Sequence, residues 1–166
     1  MARDYKQGIY KIKNRKKYIG KKDPRFLSSY EERVFRFLDN HDGVIKWGAE
    51  VVVVPYFNPI KGKRDHEQGK KVDPTKPNSR YIVDVYVKYY DKHGDIHEEL
   101  IEIKPYKEAE HVINKKPTKK GRKKQSTFDR EMETAIVNEA KWIAAKKFVE
   151  ARGMKFRVMT ERQIWL

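Results

Sequence analysis

The stretch that decides the fold begins at Tyr81 and reads YIVDVYVKYYDKHGDIHEELIEIK. Two apolar runs, 81–89 and 96–104, flank a short segment rich in turn-forming residues, so the pattern predicts an antiparallel β-hairpin. Charged residues interrupt both runs: Asp84 in the first, Glu102 and Lys104 in the second. A charge inside a hydrophobic strand is costly unless it is paired or holds a metal. These three side chains are therefore the first candidates for a functional site.

The expected register of this hairpin brings the two carboxylates together. A turn centred on His93 places Asp84 opposite Glu102, each nine residues from the centre. Because side chains alternate along a strand, Glu102 and Lys104 share a face. Opposed carboxylates repel each other unless a cation lies between them, which favours a metal site. The alternative is a salt-bridged face on a half-exposed hairpin.

The chemistry that fits these residues is hydrolysis of a phosphodiester. Hard divalent cations prefer carboxylate ligands and neutralise phosphate charge, so we expect Asp84 and Glu102 to hold Mg²⁺ or Mn²⁺, with help from the backbone carbonyl of Ile103. Lys104 would face the same site, where it could orient the attacking water or stabilise charge that develops at the phosphate. Glu31 would bind the metal directly or through water.

Glu31 belongs to a predicted helix that begins at Ser28 or Ser29, since each serine is followed three residues later by a glutamate, as in a capping box. At helical spacing Glu31 falls within the apolar face, whereas Glu32 falls outside it and is expected to face water. Glu31 is then either a capping carboxylate or a member of the site. The apolar face comprises Tyr30, Val34, Phe35, Phe37 and Leu38.

The composition indicates a polyanionic partner. The 166 residues include 39 Lys and Arg against 24 Asp and Glu, which gives a net charge of +15 and points first to nucleic acid. The lack of cysteine excludes disulfides, thiolate catalysis and cysteine-based zinc sites. No apolar run approaches the ~20 residues that span a bilayer, and the N-terminus does not read as a signal peptide, so no membrane partner is expected.

Three basic segments are candidates for phosphate contacts. They are an N-terminal arm over 1–25, a mobile loop over 58–79 and a second loop over 114–125. The first and the last are either solvated or DNA-facing, and the acidic strands just before the last one favour DNA. The side chains expected to contact DNA are Arg15, Lys16, Lys17, Lys63, Arg64, Lys115, Lys116, Lys119, Lys120, Arg122, Lys123 and Lys124.

A long helix is predicted from about Ser126 to Gly153, followed by a short strand over 154–159. Asn138 and Lys141 lie on a polar flank of this helix, which is either a solvated edge or a support beside the acidic residues. The elements follow one another as helix, strands including a hairpin, long helix and strand. This order predicts an α/β fold with a mixed β-sheet flanked by helices.

Several motifs over residues 25–162 recur together in one family. On these motifs the chain resembles the PD-(D/E)xK superfamily, and within it the head completion nucleases of T-even-like tailed phages and the transposon-end endonuclease subunits. Val83 is a departure, because it stands where the superfamily's name has proline. The motifs are SSYE at 28–31, VIKW at 44–47, VVPY at 53–56, YIVDVYV at 81–87, IEIKP at 101–105, NEAKW at 138–142 and FRVMTE at 156–161.

The resemblance implies a restriction-endonuclease-like core, αβββαβ, in one nuclease domain over 26–166, with magnesium-dependent cleavage of DNA. By motif position, it implies a catalytic group of Glu31, Asp84, Glu102 and Lys104, supported by Asn138 and Lys141. We therefore expect an endonuclease that acts on packaged DNA or DNA ends, in the host cytoplasm during assembly or in the virion. Its expected partners are DNA, portal or neck proteins of the phage and a second copy of the chain. Two alternatives are a DNA-binding head or neck protein that cleaves nothing, and a resolvase or transposition nuclease of the same fold.

Overall fold

The computed structural model describes residues 6–113 and 124–164. Within these ranges the chain forms two short strands, then a helix, and then a sheet whose strands are separated by helices. The elements are β1 (Gly8–Ile9), β2 (Arg25–Phe26), α1 (Ser29–Asn40), β3 (Val44–Tyr56), α2 (Pro59–Glu67), β4 (Ser79–Tyr90), β5 (Ile96–Ile103), α3 (Tyr106–Ile113), α4 (Gln125–Glu150), β6 (Lys155–Met159) and α5 (Glu161–Ile164).

Strands β3 to β6 form one mixed sheet in the order β3-β4-β5-β6. Strand β4 pairs antiparallel with β3 and β5, whereas β6 pairs parallel with β5. Two parallel strands need a crossover connection, and the long helix α4 lies in that connection. The predicted α/β fold with a mixed sheet flanked by helices is confirmed, and the architecture is consistent with a restriction-endonuclease-like fold.

The β4–β5 hairpin has the predicted register. Val85 faces Ile101, and the pairing continues without a shift as far as Tyr90 and Ile96. One further step in the same register sets Asp84 against Glu102. The connecting turn contains Gly94 with φ of 86°, a conformation that glycine adopts without steric cost.

Two clusters of buried side chains cover the two faces of the sheet. On one face, α1 packs Val34 and Phe35 around the fully buried Trp47 of β3; we call this the α1-side cluster. On the other face, α4 packs Trp142 and Val149 against β3, β4 and β5; we call this the α4-side cluster. Each large apolar side chain that is fully buried contributes about 1.5–3 kcal/mol, so the sheet is held from both faces.

The alternation of side chains between the two faces of the sheet is interrupted in β4 at Asp84. Alternate residues of a regular strand lie on one face. Here, however, Tyr81 and Val83 belong to the α4-side cluster, whereas Val85 and Val87 belong to the α1-side cluster. Odd-numbered side chains of β4 therefore lie on the α4 side of the sheet before Asp84 and on the α1 side after it.

A β-bulge in β3 accounts for this exchange. The pairing of β3 with β4 shifts register between Ala49 and Val52, and Glu50 has φ of 54°, which is uncommon outside glycine. A bulge increases the local twist and re-aims side chains, and bulges are frequent beside active sites. Two residues of β3, Glu50 and Val51, lie opposite the single residue Asp84 of β4.

The N-terminal segment packs on the domain. Asp39 is fully buried near the end of α1 and accepts hydrogen bonds from the Tyr10 hydroxyl (3.1 Å) and from the amides of Lys13 (2.8 Å) and Asn14 (3.0 Å). Tyr10 and Tyr18 also lie in the α1-side cluster. Asp39 and the α1-side cluster therefore hold residues of the predicted basic N-terminal arm against the domain; whether this segment contacts DNA stays a prediction.

Two helices were not predicted. Helix α2 occupies the first part of the segment 58–79, which was interpreted as a mobile loop; Asn58 caps this helix and Pro59 begins it, a known helix-start signal. Helix α3 follows Pro105 and buries Ala109, but its eight residues are too few for a clear period. None of the helices in the described ranges combines the length and the apolar character needed to cross a membrane.

Two side chains of α1 lie elsewhere than predicted. Phe37 was expected on the apolar face but is 59% exposed, and its ring packs on His41 at 4.7 Å between centroids; it lies at the margin of the stripe, beyond the residues that α1 buries. Glu32 was expected to face water but is largely covered, because it forms ion pairs with Lys6 and Arg36.

Candidate active site

Asp84 lies where the alternation of side chains in β4 is interrupted. Its Oδ2 accepts a hydrogen bond from the amide of Ile103 at 2.7 Å. Burial, followed by the charge of Glu102, raises the pKa of Asp84 to about 8, and the charge of Glu31 adds to this rise. The Ile103 amide and Lys104 act in the opposite direction but do not cancel it. The carboxyl group therefore lies in a field that favours a bound proton or cation.

Glu102 is the most enclosed member of the site, with 2% of its surface exposed. Its two oxygens have different partners. Oε2 accepts a hydrogen bond from the Tyr81 hydroxyl at 2.5 Å, and Oε1 lies 3.3 Å from the Lys104 ammonium. A buried carboxylate with a partner on each oxygen is fixed in orientation.

Lys104 supplies the positive charge of the site. Burial alone would lower its pKa, but the carboxylates of Glu102 and Asp84 outweigh burial and raise the pKa above the ordinary value of 10.5. The side chain is therefore an ammonium at neutral pH. Its placement on the face of Glu102 follows from the two-residue period of β5, as predicted.

Glu31 lies at the start of α1, and its carboxylate is held by the helix start. Ser28 is the N-cap residue: its Oγ accepts from the Glu31 amide at 3.2 Å and donates to Glu31 Oε1 at 3.0 Å, while the Leu27 amide donates to Oε2 at 2.8 Å. The serine half of the predicted capping box is present, whereas the Glu31 carboxylate accepts from the amide of Leu27 instead of that of Ser28. Because Glu31 also contributes to the raised pKa of Asp84, its charge reaches the acidic pair.

Helix α4 turns its polar flank toward this region. Asn138 is buried, with 6% of its surface exposed. The ammonium of Lys141 lies 5.5 Å from the centroid of the Tyr81 ring, whose hydroxyl binds Glu102. Asn138 is therefore not part of a solvated edge, and Lys141 is half-buried; the support that both residues would give to the site stays a prediction.

The donor set fits a hard divalent cation by its chemistry. Glu102 is buried, Asp84 is half-buried, and the Lys104 ammonium lies 3.3 Å from Glu102 Oε1; carboxylate oxygens of this kind suit Mg²⁺ and Mn²⁺. Across residues 6–113 and 124–164, no group of three or more His, Asp or Glu side chains is arranged to hold a metal. Magnesium usually keeps several waters and is bound through one or two carboxylates, a number that Asp84 and Glu102 match.

Several of the cations predicted to contact DNA are engaged within the protein. A lysine or arginine that already has an acidic or carbonyl partner has less freedom to grip a phosphate, although surface pairs of this kind are weak. The pairs are Arg15 with Asp23 and the Lys21 carbonyl, Lys17 with the His41 carbonyl, Lys63 with Glu67, and Arg64 with Glu133.

The other predicted DNA contacts divide by location. Lys16 is exposed, and Lys124 is exposed at the start of α4. The remaining basic residues of the 114–125 segment lie outside the described residues, so their role stays a prediction. These residues are Lys115, Lys116, Lys119, Lys120, Arg122 and Lys123.

Sequence reasoning missed Tyr81. Strict alternation along β4 places Tyr81 and Asp84 on opposite faces, since they are three residues apart. The change of face at Asp84 instead brings Tyr81 to the side of Glu102. The sequence carries little indication of this placement, because Glu50 and the valines after it do not predict a bulge.

Comparison with known proteins identifies the family of the chain. Residues 41–161 match the family model described as TnsA-like endonuclease N terminal, a range that contains Asp84, Glu102 and Lys104. The chain is also 36% identical over 157 residues to the head completion nuclease of Enterobacteria phage T4, which covers 93% of this chain and 90% of that protein. The predicted resemblance is confirmed, and the chain belongs to the family of TnsA-like N-terminal endonucleases.

Proposed function

We propose that this protein is a metal-dependent endonuclease that hydrolyses phosphodiester bonds in DNA. The observation that carries the proposal is the convergence of Asp84, Glu102 and Lys104 on two adjacent strands, within a family of endonucleases. A surface salt-bridge face would leave these groups in water. Instead, Glu102 is almost fully enclosed and burial raises the pKa of Asp84.

Each side chain has a role that its surroundings support. Asp84 and Glu102 would hold Mg²⁺ or Mn²⁺, with the Ile103 carbonyl and, directly or through water, Glu31 as further ligands. When bound, the metal neutralises charge at the phosphate and makes a bound water more acidic. Lys104 is a charged donor on the same face, placed to stabilise negative charge that develops at the phosphate.

The charge of the chain supports DNA as the substrate. A net charge of +15 attracts a polyanion, and contacts of this kind release counterions, so we expect the affinity for DNA to fall steeply with salt. Lys16 and Lys124 are among the exposed candidates in the described part of the chain. The basic residues at 115–123 are proposed to add further phosphate contacts.

The name of the T4 relative, a head completion nuclease, suggests the setting. We propose that this protein acts on packaged DNA or DNA ends while a phage head is completed inside the host cell. Portal or neck proteins are then the partners to test first. A pair of protomers would supply two active sites if both strands are cut.

The test is cleavage of supercoiled plasmid by the purified protein in Mg²⁺, in Mn²⁺ and in EDTA. We expect nicked or linear product with either metal and none with EDTA. Asp84→Asn and Lys104→Met should each slow cleavage by at least about 10²–10³-fold, since each removes a group that acts on the reacting phosphate. Asp42→Asn and Lys92→Met change exposed turn residues in the same way and should leave the rate unchanged.

Two results would count against the proposal. Tight binding of plasmid without cleavage in either metal would favour the alternative of a DNA-binding head protein without nuclease activity. Cleavage that survives Asp84→Asn would show that the acidic pair is not the catalytic centre.

A further inference from the structure

We propose that Tyr81 is a positioning residue for Glu102, and that Lys141 supports the active site through Tyr81. The inference rests on the proposed function, because it concerns how a metal-holding carboxylate is fixed. Tyr81 begins the motif YIVDVYV that contains Asp84, but it is not among the predicted site residues, and Lys141 has had only an unspecified supporting role.

The first observation is the contact between Tyr81 and Glu102. Tyr81 is 2% exposed, and its hydroxyl donates to Glu102 Oε2 at 2.5 Å, at the short end of the range for a hydroxyl bound to a carboxylate. Lys104 holds the other oxygen at 3.3 Å. The terminal torsion of a glutamate is broad, so two donors on two oxygens are needed to fix the plane of this carboxylate.

The second observation is that the fold brings Tyr81 to this place against strand alternation. The bulge at Glu50 and the change of face at Asp84 turn the N-terminal part of β4 toward α4. Without that change Tyr81 would lie on the other side of the sheet from Glu102. The bulge lies opposite Asp84, and the change of face beside it brings the Tyr81 hydroxyl to the side of the sheet that carries Glu102.

The third observation is the position of Lys141. Its ammonium lies 5.5 Å from the centroid of the Tyr81 ring, within the ~6 Å reach of a cation–π contact. A cation over a phenol ring withdraws electron density and makes the hydroxyl a stronger donor. A tyrosine hydroxyl keeps its proton at neutral pH and can therefore act as a donor. Lys141 therefore strengthens the bond from Tyr81 to Glu102.

Loss of a residue that orients a metal ligand typically weakens metal binding by about 10–100-fold. We expect Tyr81→Phe, which removes only the hydroxyl, to lower the affinity for Mn²⁺ by about 10-fold or more. Lys141→Met should lower the affinity by a smaller factor, about 3-fold, because Lys141 contacts Tyr81 and not Glu102. In the double variant the Lys141 change should add nothing, since the hydroxyl that it acts on is gone.

The experiment measures Mn²⁺ affinity by isothermal titration calorimetry on the full chain without DNA, so that no cleavage step enters. Asp84→Asn defines the background from ions bound elsewhere. Tyr86→Phe is the matched control for the hydroxyl, because Tyr86 lies on the same strand and donates to Glu98 at 2.6 Å. Lys146→Met is the control for the loss of charge from α4, since Lys146 is exposed. Neither control should change the affinity.

The outcomes separate this inference from the proposed function. If the wild-type protein binds no more Mn²⁺ than Asp84→Asn, the metal site itself fails and this inference fails with it. If the wild type binds Mn²⁺ and Tyr81→Phe binds it equally well, only the role of Tyr81 is overturned. If Lys141→Met keeps its full effect in the double variant, Lys141 does not act through Tyr81. Should Tyr81→Phe fail to fold, Lys141→Met alone decides, because an unchanged affinity there overturns the inference.

Discussion

Asp39 and Asp84 are two acidic side chains that the fold removes from water in opposite ways. Asp39 is fully buried, and three donors reach its carboxylate: the Tyr10 hydroxyl and the amides of Lys13 and Asn14. Asp84 accepts one hydrogen bond, from the Ile103 amide, within the described part of the chain. Its nearest charged neighbours include two further carboxylates, which raise its pKa.

This difference distinguishes a structural carboxylate from a candidate functional one. A buried carboxylate whose oxygens all have donors is stabilised as it stands, and Asp39 uses this to hold the N-terminal segment on α1. A buried carboxylate with few donors and acidic neighbours is unstable as an anion and becomes stable when a cation arrives. Burial of charge alone therefore does not mark a site; the balance of donors does.

The largest effect that we expect is on stability at Asp39. Asp39→Asn turns an acceptor into a donor, and either orientation of the amide sets it against a backbone N–H of Lys13 or Asn14. The free energy of unfolding should fall by about 3–5 kcal/mol, as measured by urea denaturation. Asp42→Asn, an exposed change three residues away, should cost less than about 0.5 kcal/mol. An Asp39→Asn variant as stable as wild type would remove the structural side of the comparison.

Substitution of Asp84 is expected to raise the free energy of unfolding, whereas substitution of Asp39 lowers it. The ordinary pKa of this carboxyl is 3.8, and in the fold it is about 8, so the folded protein disfavours the anion. The metal-free wild type should lose stability as the pH rises from about 4, and the loss should be complete above about pH 8. Asp84→Asn cannot ionise, keeps an oxygen for the Ile103 amide and escapes this loss.

A pKa shift of this size corresponds to at most about 5–6 kcal/mol, and solvent screening of the half-buried carboxyl reduces it. Metal-free Asp84→Asn should therefore be more stable than wild type by about 2–3 kcal/mol at pH 8.5, and by about 1 kcal/mol or less at pH 4.5. Urea denaturation in EDTA at both pH values measures this difference. Equal stability at pH 8.5 would mean that the carboxylate is adequately solvated or paired, and the contrast with Asp39 would disappear.

The hairpin and α1 could be predicted from the sequence because their signals are local. The turn residues at 91–95 and the alternation on both sides favour one register. That register predicts that Asp84 and Glu102 lie opposite each other. Ser28 and Glu31 are three residues apart, and a capping box needs nothing more. The core of the candidate site rests on these two local patterns.

The rest depends on contacts that are distant in the chain. The donors to Asp39 come from residues 10–14, and no pattern in α1 identifies them. The bulge at Glu50 falls in a run of valines that has no alternation to break, so the change of face in β4 and the placement of Tyr81 were not predictable. Tertiary packing decided these features, and local propensity did not.

A bound metal should remove the difference between the two aspartates. Mn²⁺ at ten times its dissociation constant should stabilise the wild type by about 1.4 kcal/mol, seen as a rise in Tm of about 3–5 °C. Asp84→Asn should show no such rise, whereas Tyr10→Phe, which removes a donor to Asp39, should lower the Tm but keep the full response to Mn²⁺. An equal response of wild type and Asp84→Asn would place the metal elsewhere.

The smallest effect is expected at the start of α1, where one carboxylate combines both kinds of behaviour. Glu31 has donors on each oxygen, as Asp39 has, yet its charge reaches Asp84. Ser28→Ala removes one of these donors and the N-cap, and should cost about 1 kcal/mol in urea denaturation. Ser29→Ala, one residue further on and not the cap, should cost much less. If Glu31 serves the site, Ser28→Ala should also slow plasmid cleavage several-fold, because the carboxylate loses the hydroxyl that orients it. An unchanged rate at reduced stability would assign Glu31 to the structural class, together with Asp39.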